Sequence, residues 1–461
     1  MSYFDVSEWN LSLSGIDNQN IRLLIRQFQR TLVAVPGYGV PILQCLLPLA
    51  ARHATSLDAL LTLATRFRSS PLLPSGTQES EPANLGDQSS NLASDSYQHA
   101  VKNLQANLFR LQSGHGDIEE AIAISMILWI SCLPGHEIWY IHLHGLIALL
   151  DTTPLPAFET LLPLSLQRYA SFAAAHADIK AITIGRADPS QRLWLRWRLC
   201  PPEEILAFPS EEKMLSGWEI SSGYPETLMT VIALLSAVVD DDLSGQNPYP
   251  VSEDYLEQLT FQTSHSAGLS VSPIPRRTMP MNEPEKKYIR VMETLITRWK
   301  SPSMPDSMPL ETSLVLSTAW EVIRKAALIY LWRGGFDTDP MAPLSTEQEL
   351  FIDQYIREMC GGIEQIIQAA EKHHIPLALT LIWPLAVIGN EASRSPQLQD
   401  KIRDYLGRMY TYFQIPHHQL LGSVLQKLWE AAVERNLNFT TGAPLSLQSI
   451  CLEGNILVPL L

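Results

Sequence analysis

The sequence predicts an all-α protein, a multi-helix array of two packed helical halves, and three observations carry that expectation. Apolar residues recur at helical spacing almost everywhere, whereas the period-two alternation of half-buried strands is scarce. Hydrophobic residues make up 46% of the 461-residue chain and charged residues 18%, which supplies a large core and excludes general disorder. Helix-starting residues (aspartate, serine, proline) stand ahead of several periodic runs. Counting those runs gives about fifteen helices, packed as in other non-bundle helical folds.

The first stripe follows Asp17, a candidate cap, and carries Ile21, Leu24, Ile25, Phe28 and Leu32. Tyr97, Val101, Leu104, Leu108 and Leu111 alternate at spacings of four and three, a seam expected to face the chain's own core. Asp117 with Glu120 has the form of a capping box, ahead of Ile118, Ile122 and Trp129. Ser345 with Gln348 marks another helix start, and Ser395-Pro396 places a cap and a first-turn proline before a helix ending near Phe413.

Two stretches lack the helical pattern. Pro74 to Ser96 is polar and nearly free of large apolar residues, the composition of a mobile loop. Leu243 to Glu285 is rich in proline, serine and methionine and is expected to be a connector, with one short helix near Tyr255 to Phe261. The expected organisation is therefore an amino-terminal half over 1–239 with a loop at 74–96, a connector over 240–284, and a carboxy-terminal half over 285–461.

Thirty-three Lys and Arg against 48 Asp and Glu leave a net charge of −15. Duplex binding depends on neutralising phosphates with cations, so direct nucleic-acid binding is not expected. The five cysteines (Cys45, Cys132, Cys200, Cys360, Cys451) are odd in number and scattered, which points to reduced thiols in a nuclear or cytoplasmic protein. The start, MSYFDVSEWN, lacks the basic region of a signal peptide. The most apolar runs, from Ala121 and from Leu377, are too short to span a bilayer, so no membrane is expected.

Seven segments in order resemble the regulatory region that follows the zinc cluster in a large class of fungal transcription factors. They are LLPLAARHATSLDALLTLATRF from Leu46, SYQHAVKNLQANL from Ser96, WYIHLHGLIALL from Trp139 and GYPETLMTVIALLSAVV from Gly223. The later three are AWEVIRKAALIYLWR from Ala319, LIWPLAVIGNEA from Leu381 and VLQKLWEAAVERN from Val424. Together they cover roughly Ile21 to Asn436. The resemblance implies an all-α regulatory domain. Members of that class also carry six clustered cysteines beside a basic segment, and the sequence shows no such cluster. The expectation is a regulator-like protein that binds DNA only through others.

Candidate site residues are few. His142 and His144 are two positions apart on a helix and point to different sides, so they cannot readily share a metal. Trp139 and His142 are candidates for a ligand pocket, although packing and hydrogen bonding within the array is the favoured reading, with Gly145 permitting close helix approach. Asp240, Asp241 and Asp242 lack the second motif of a magnesium–diphosphate site, and a solvated helix end explains them. Trp320, Glu321, Arg324 and Lys325 lie one turn apart and either line a cavity or form ordinary ion pairs. Trp383 and Glu391 lie two turns apart, and an ionised Glu391 among apolar neighbours needs a partner. His373-His374 and His417-His418, beside prolines, are expected at solvated helix ends.

The pocket candidates are thus Trp139, His142, Trp320, Glu321, Trp383 and Glu391, with no metal and no cofactor. The function these observations imply is regulation of a metabolic gene set through a regulatory protein partner or a small apolar organic molecule. An alternative is a cofactor-independent cyclase or isomerase of fungal secondary metabolism, in which a cavity positions one molecule for a pericyclic step.

Overall fold

The computed structural model describes residues 15–31, 41–69, 85–132, 139–153, 165–186, 190–197, 199, 215, 217–306, except 241–282, then 308–340, 344, 346–373, 375, 378–413, 416–438 and 445–459. These residues form an α-helical structure with one two-stranded ribbon. The chain divides into two compact units. The first holds Met1–Ala174, Ile220–Ser222 and Thr411–Pro416, and the second holds Ala175–Glu219, Gly223–Tyr410 and His417–Leu461.

In the first unit, α1 (Gly15–Thr31), α2 (Pro41–Arg52), α3 (Ala54–Ser69) and α4 (Leu85–Gln112) precede α5 (Ile118–Cys132) and α6 (Trp139–Thr152). Helix α5 is the centre. Every residue from Glu120 to Cys132 is buried, as a helix apolar on all sides requires, and α2, α3, α4 and α6 pack around it. Helix α4 turns its fully buried Ala100 and Asn107, seven residues apart, inwards, while the leucines of the predicted seam flank them half-buried.

Helix α4 corrects one expectation. It starts at Leu85, inside the stretch whose composition suggested a loop to Ser96, while 74–84 lie outside the described residues. Once a turn is nucleated, each added residue gains a hydrogen bond, so a polar extension can follow a well-packed helix backwards. Asp17, read as a cap, lies within the first turn of α1. The connector over 241–282, with the short helix near Tyr255, falls outside the described residues, as does Ser345.

Helix α7 (Leu166–Asp178) leads into the second unit. There a 3-10 turn (Lys180–Ile182), β1 (Thr183–Ile184), α8 (Leu193–Arg196) and the first half of α9 (Gly217–Ser222, whose last three residues belong to the first unit) precede α10 (Glu226–Asp240). Then come α11 (Glu283–Arg298), α12 (Leu310–Arg333), α13 (Thr346–His373), α14 (Ala378–Glu391), α15 (Pro396–Phe413), α16 (Pro416–Asn438), α17 (Leu447–Glu453) and β2 (Val458–Pro459). The ribbon is antiparallel, with Thr183 opposite Pro459 and Ile184 opposite Val458.

Helix α10 is buried from Glu226 to Val238, and α8, α11 and α12 pack on it. Polar groups enclosed there need partners. Each neighbour supplies an indole: Trp194 Nε1 of α8 donates to Thr230 Oγ1 at 2.8 Å, and Trp299 Nε1, just after α11, donates to Thr227 Oγ1 at 3.1 Å. Trp320 Nε1 of α12 donates to the Gly223 carbonyl at 2.7 Å. The backbone N–H of Glu226, at the start of α10, donates to Glu219 Oε1 at 2.9 Å.

Helices α12 and α13 form a hairpin after Gly334 and Gly335, whose φ values of 76° and 86° close α12 in the left-handed region. They approach closely where Gly362 of α13 meets Val322 and Thr318 of α12. Helix α16 is fixed on α14 by Trp429 Nε1, which donates to the Gly389 carbonyl at 2.9 Å. Ser395 caps α15 as the sequence suggested, accepting from Leu398 N at 3.4 Å.

Replacing Trp320 by Phe removes the donor to Gly223 and leaves a buried carbonyl unpaired. The expected loss is about 1–3 kcal/mol in denaturant unfolding. An unchanged midpoint would show that the indole serves only as apolar volume.

Candidate functional site

Of the six pocket candidates, Trp139 and His142 fall in the first unit and Trp320, Glu321, Trp383 and Glu391 in the second. In the first unit, Trp139 is buried at the start of α6. His142 is half-buried and shares a 2.5 Å hydrogen bond with the Tyr97 hydroxyl of α4, its ring edge-on to the tyrosine. Gly145, read as allowing close helix approach, is exposed, and a Cβ there would meet nothing within 4 Å.

In the second unit, Trp320 is committed to the α10 hub. Glu321 points outward, its side chain 47% exposed, and pairs with Arg324 at 2.8 Å. Lys325 pairs instead with Glu358 of α13 at 2.8 Å. Trp383 of α14 packs against Tyr330, with ring centroids 5.9 Å apart. Tyr330 lies ten residues beyond Trp320, about 15 Å along α12 at the usual rise. Glu391 has the partner its burial demands: Arg333 holds both carboxylate oxygens, and the two side chains are only 4% and 7% exposed. Burial pushes the Glu391 carboxyl up, and the Arg333 guanidinium opposes it.

Other readings are settled by burial. His417 and His418 are buried in the first turn of α16, contrary to the solvated helix end expected of them. Pro416 is the first residue of that helix, so both imidazoles belong to the packed helix instead of a loop before it. His373 is exposed at the end of α13, and His374 lies outside the described residues. Asp240 ends α10, and Asp241 and Asp242 also lie outside. Burial raises the Cys45 and Cys451 thiols to about 11 and about 12, so neither is a ready nucleophile. Among the described residues, no three His, Cys, Asp or Glu side chains are arranged to hold a metal ion.

Sequence reasoning missed two polar centres. In the first unit, Asp117 caps α5 by accepting from Glu119 N at 2.9 Å, but Glu120 does not complete the box. It turns inward, 4% exposed, and accepts from Asn107 Nδ2 at 3.0 Å and from the Thr55 hydroxyl. His53 stands beside both acids, 3.3 Å from Asp117 and 3.8 Å from Glu120. Glutamate at the third helical position was the visible signal, and burial redirected it.

The second centre is Asp178, 1% exposed at the end of α7. Its carboxylate accepts from Ser190 Oγ at 2.9 Å, Gln191 N at 3.1 Å, Leu193 N at 3.0 Å and Arg186 Nη1 at 3.2 Å. One charge thereby ties down the turn before α8, including Arg192 at a φ of 53°. Such a backbone needs surrounding structure to hold it. The result is a narrow cleft of about 10 Å³ with walls from Asp178, Ser190, Arg192, Trp194 and, on α10, Ala233 and Ser236.

Nearby in sequence, His176 is wholly buried between Trp218 and Tyr224, with centroids 6.3 and 5.1 Å away. Its Nε2 has no hydrogen-bond partner. Burial lowers its pKa from 6.5 to about 3, so it is neutral and cannot shuttle protons near pH 7.

The described residues are an all-α array in which many buried polar side chains join one helix to another. The family model described as the fungal specific transcription factor domain matches residues 25–439, and the chain belongs to that family. No curated protein and no solved structure matches the chain. Among the described residues, no helix is long and apolar enough to cross a membrane.

Two outcomes follow from the buried groups. Asp178→Ala removes the carboxylate partner of the buried Arg186 guanidinium, leaving it only the residue 178 carbonyl, and strands several N–H groups, so the variant should lose about 3–5 kcal/mol in equilibrium unfolding. A loss below 1 kcal/mol would mean that water replaces the carboxylate. For His176, the unfolded chain takes up a proton below pH 6.5 and the folded chain does not. The stability it contributes is therefore complete above pH 6.5 and is lost as the pH falls towards 3. Its share of the acid slope is about 1.4 kcal/mol per pH unit. His176→Phe should flatten the fall in denaturation midpoint between about pH 6 and 4 by that amount, and an unchanged slope would assign the acid sensitivity elsewhere.

Proposed function

We propose that the chain is the regulatory module of a fungal transcription regulator, acting in the nucleus through a protein partner on a metabolic gene set. The observation that carries this reading is the family match over residues 25–439, which spans nearly the whole helical array. The charge of −15 fits a module that leaves phosphate contacts to another segment or another protein.

Small-molecule sensing has narrower support. The cleft beside Asp178 has room for about one water molecule, about 10 Å³, far below the usual ligand range of ~300–1,000 Å³. Its acid already serves four protein donors. Of the six pocket candidates, Trp320, Glu321 and Glu391 are bound to protein partners and His142 to Tyr97. We therefore favour a protein partner over a small apolar organic molecule as the input.

Deleting the gene in its source organism tests the reading, with transcripts of neighbouring genes and small-molecule products measured in the same culture. Collapse of a set of neighbouring transcripts is the expected result. Steady transcripts with accumulation of one late intermediate would overturn it and put a cyclase in its place.

A further inference from the structure

A run of hydrogen bonds in the second unit joins the segment 446–459 to the cleft wall. Ser446 and Ser449 cap α17 reciprocally, each backbone N–H donating to the other's hydroxyl at 3.0 Å. That cap positions Gln448, whose Oε1 accepts from Gly185 N at 2.7 Å and whose Nε2 donates to the Arg186 carbonyl at 3.0 Å. Its own N–H donates to the Phe336 carbonyl at 3.2 Å. Beyond α17, β2 pairs with β1 immediately before Gly185. Gly185 has a φ of 87°, and a Cβ there would collide with the Ile456 carbonyl, so the two segments fit only by this close approach.

The next link is Arg186. With its backbone held by Gln448, its guanidinium donates to both the carbonyl and the carboxylate of Asp178, at 2.9 and 3.2 Å. Asp178 in turn holds Ser190, Gln191 and Leu193, which place Trp194 on Thr230 of α10. Each link is a directional bond between largely buried groups, and the left-handed Arg192 between them stores strain that release would relieve.

We propose that 446–459 is a latch: by fixing Gly185 and Arg186 it keeps the 190–195 wall closed on α10, and its release lets that wall move away from α10. Trp194 would part from the side of α10 that carries Ala233 and Ala237, which now line the cleft with it. This device does not depend on the regulatory reading, since it concerns the opening of the cleft whatever the chain controls.

Hydrogen exchange read by mass spectrometry on the full chain tests it, comparing the parent with Gln448→Leu. The expected result is exchange about tenfold faster across 190–195, the change that loss of about one net hydrogen bond would bring, with α12 and α13 unchanged. Fluorescence of the apolar dye anilinonaphthalene sulfonate should rise in the same variant. Faster exchange confined to 446–459, with 190–195 still protected, would overturn the proposal. If Gln448→Leu loosens the whole unit, Ser449→Ala decides, because it weakens the cap of α17 without touching Gly185 or Arg186. Selective acceleration at 190–195 in that variant supports the latch, and uniform or absent acceleration refutes it.

Discussion

The second unit is built around the need to enclose α10 without stranding polar groups. A helix buried on every side has no solvent to satisfy its first turn or its threonines, so donors and acceptors must come from the elements that cover it. Three indoles and one carboxylate meet that need, and they come from α8, the end of α11, α12 and α9. Indole suits the task because it buries a large apolar area while presenting a single donor. The positions of the surrounding helices are therefore set by directional bonds as well as by apolar contact.

Elsewhere, interior charges serve to hold segments in place. Arg333 and Glu391 join α12 to α14 with two nearly inaccessible side chains. Asp178 shapes a turn, and Glu120 draws α3, α4 and α5 together through Thr55 and Asn107. Such groups are strongly destabilising to break singly, yet they need not add net stability over an apolar substitute. Their effect is to allow one arrangement of helices and disfavour others, which suits a protein whose surface must be presented in a fixed form.

Much of the fold was legible because it depends on local period. The Ile21, Leu24 and Ile25 part of the α1 stripe and the Ser395-Pro396 start of α15 could be read from spacings within a few turns, while Phe28 and Leu32 fall outside the described side chains and α5 is buried on every side and not along one stripe. Glu391 was even assigned the need for a partner, but Arg333 lies 58 residues away and no periodicity points to it. The same limit hid Asp178, whose donors sit in an irregular turn eight to fifteen residues on. His417 and His418 misled because adjacent histidines beside a proline carry no sign of which side of the helix start they occupy. Candidate sites fared worse than helices for this reason: they are made by long-range contacts, and helices by short ones.

The clasp between Gln448 and Arg186 joins residues 262 positions apart. Closing so long a loop has an entropic cost that local helix formation does not, so contacts of this kind tend to form late. During synthesis, the Asp178 turn and α10 would emerge from the ribosome long before residue 448 is made. The helices that cover α10 are complete by residue 333, so the second unit can enclose α10 while the turn at 185–186 still lacks its clasp.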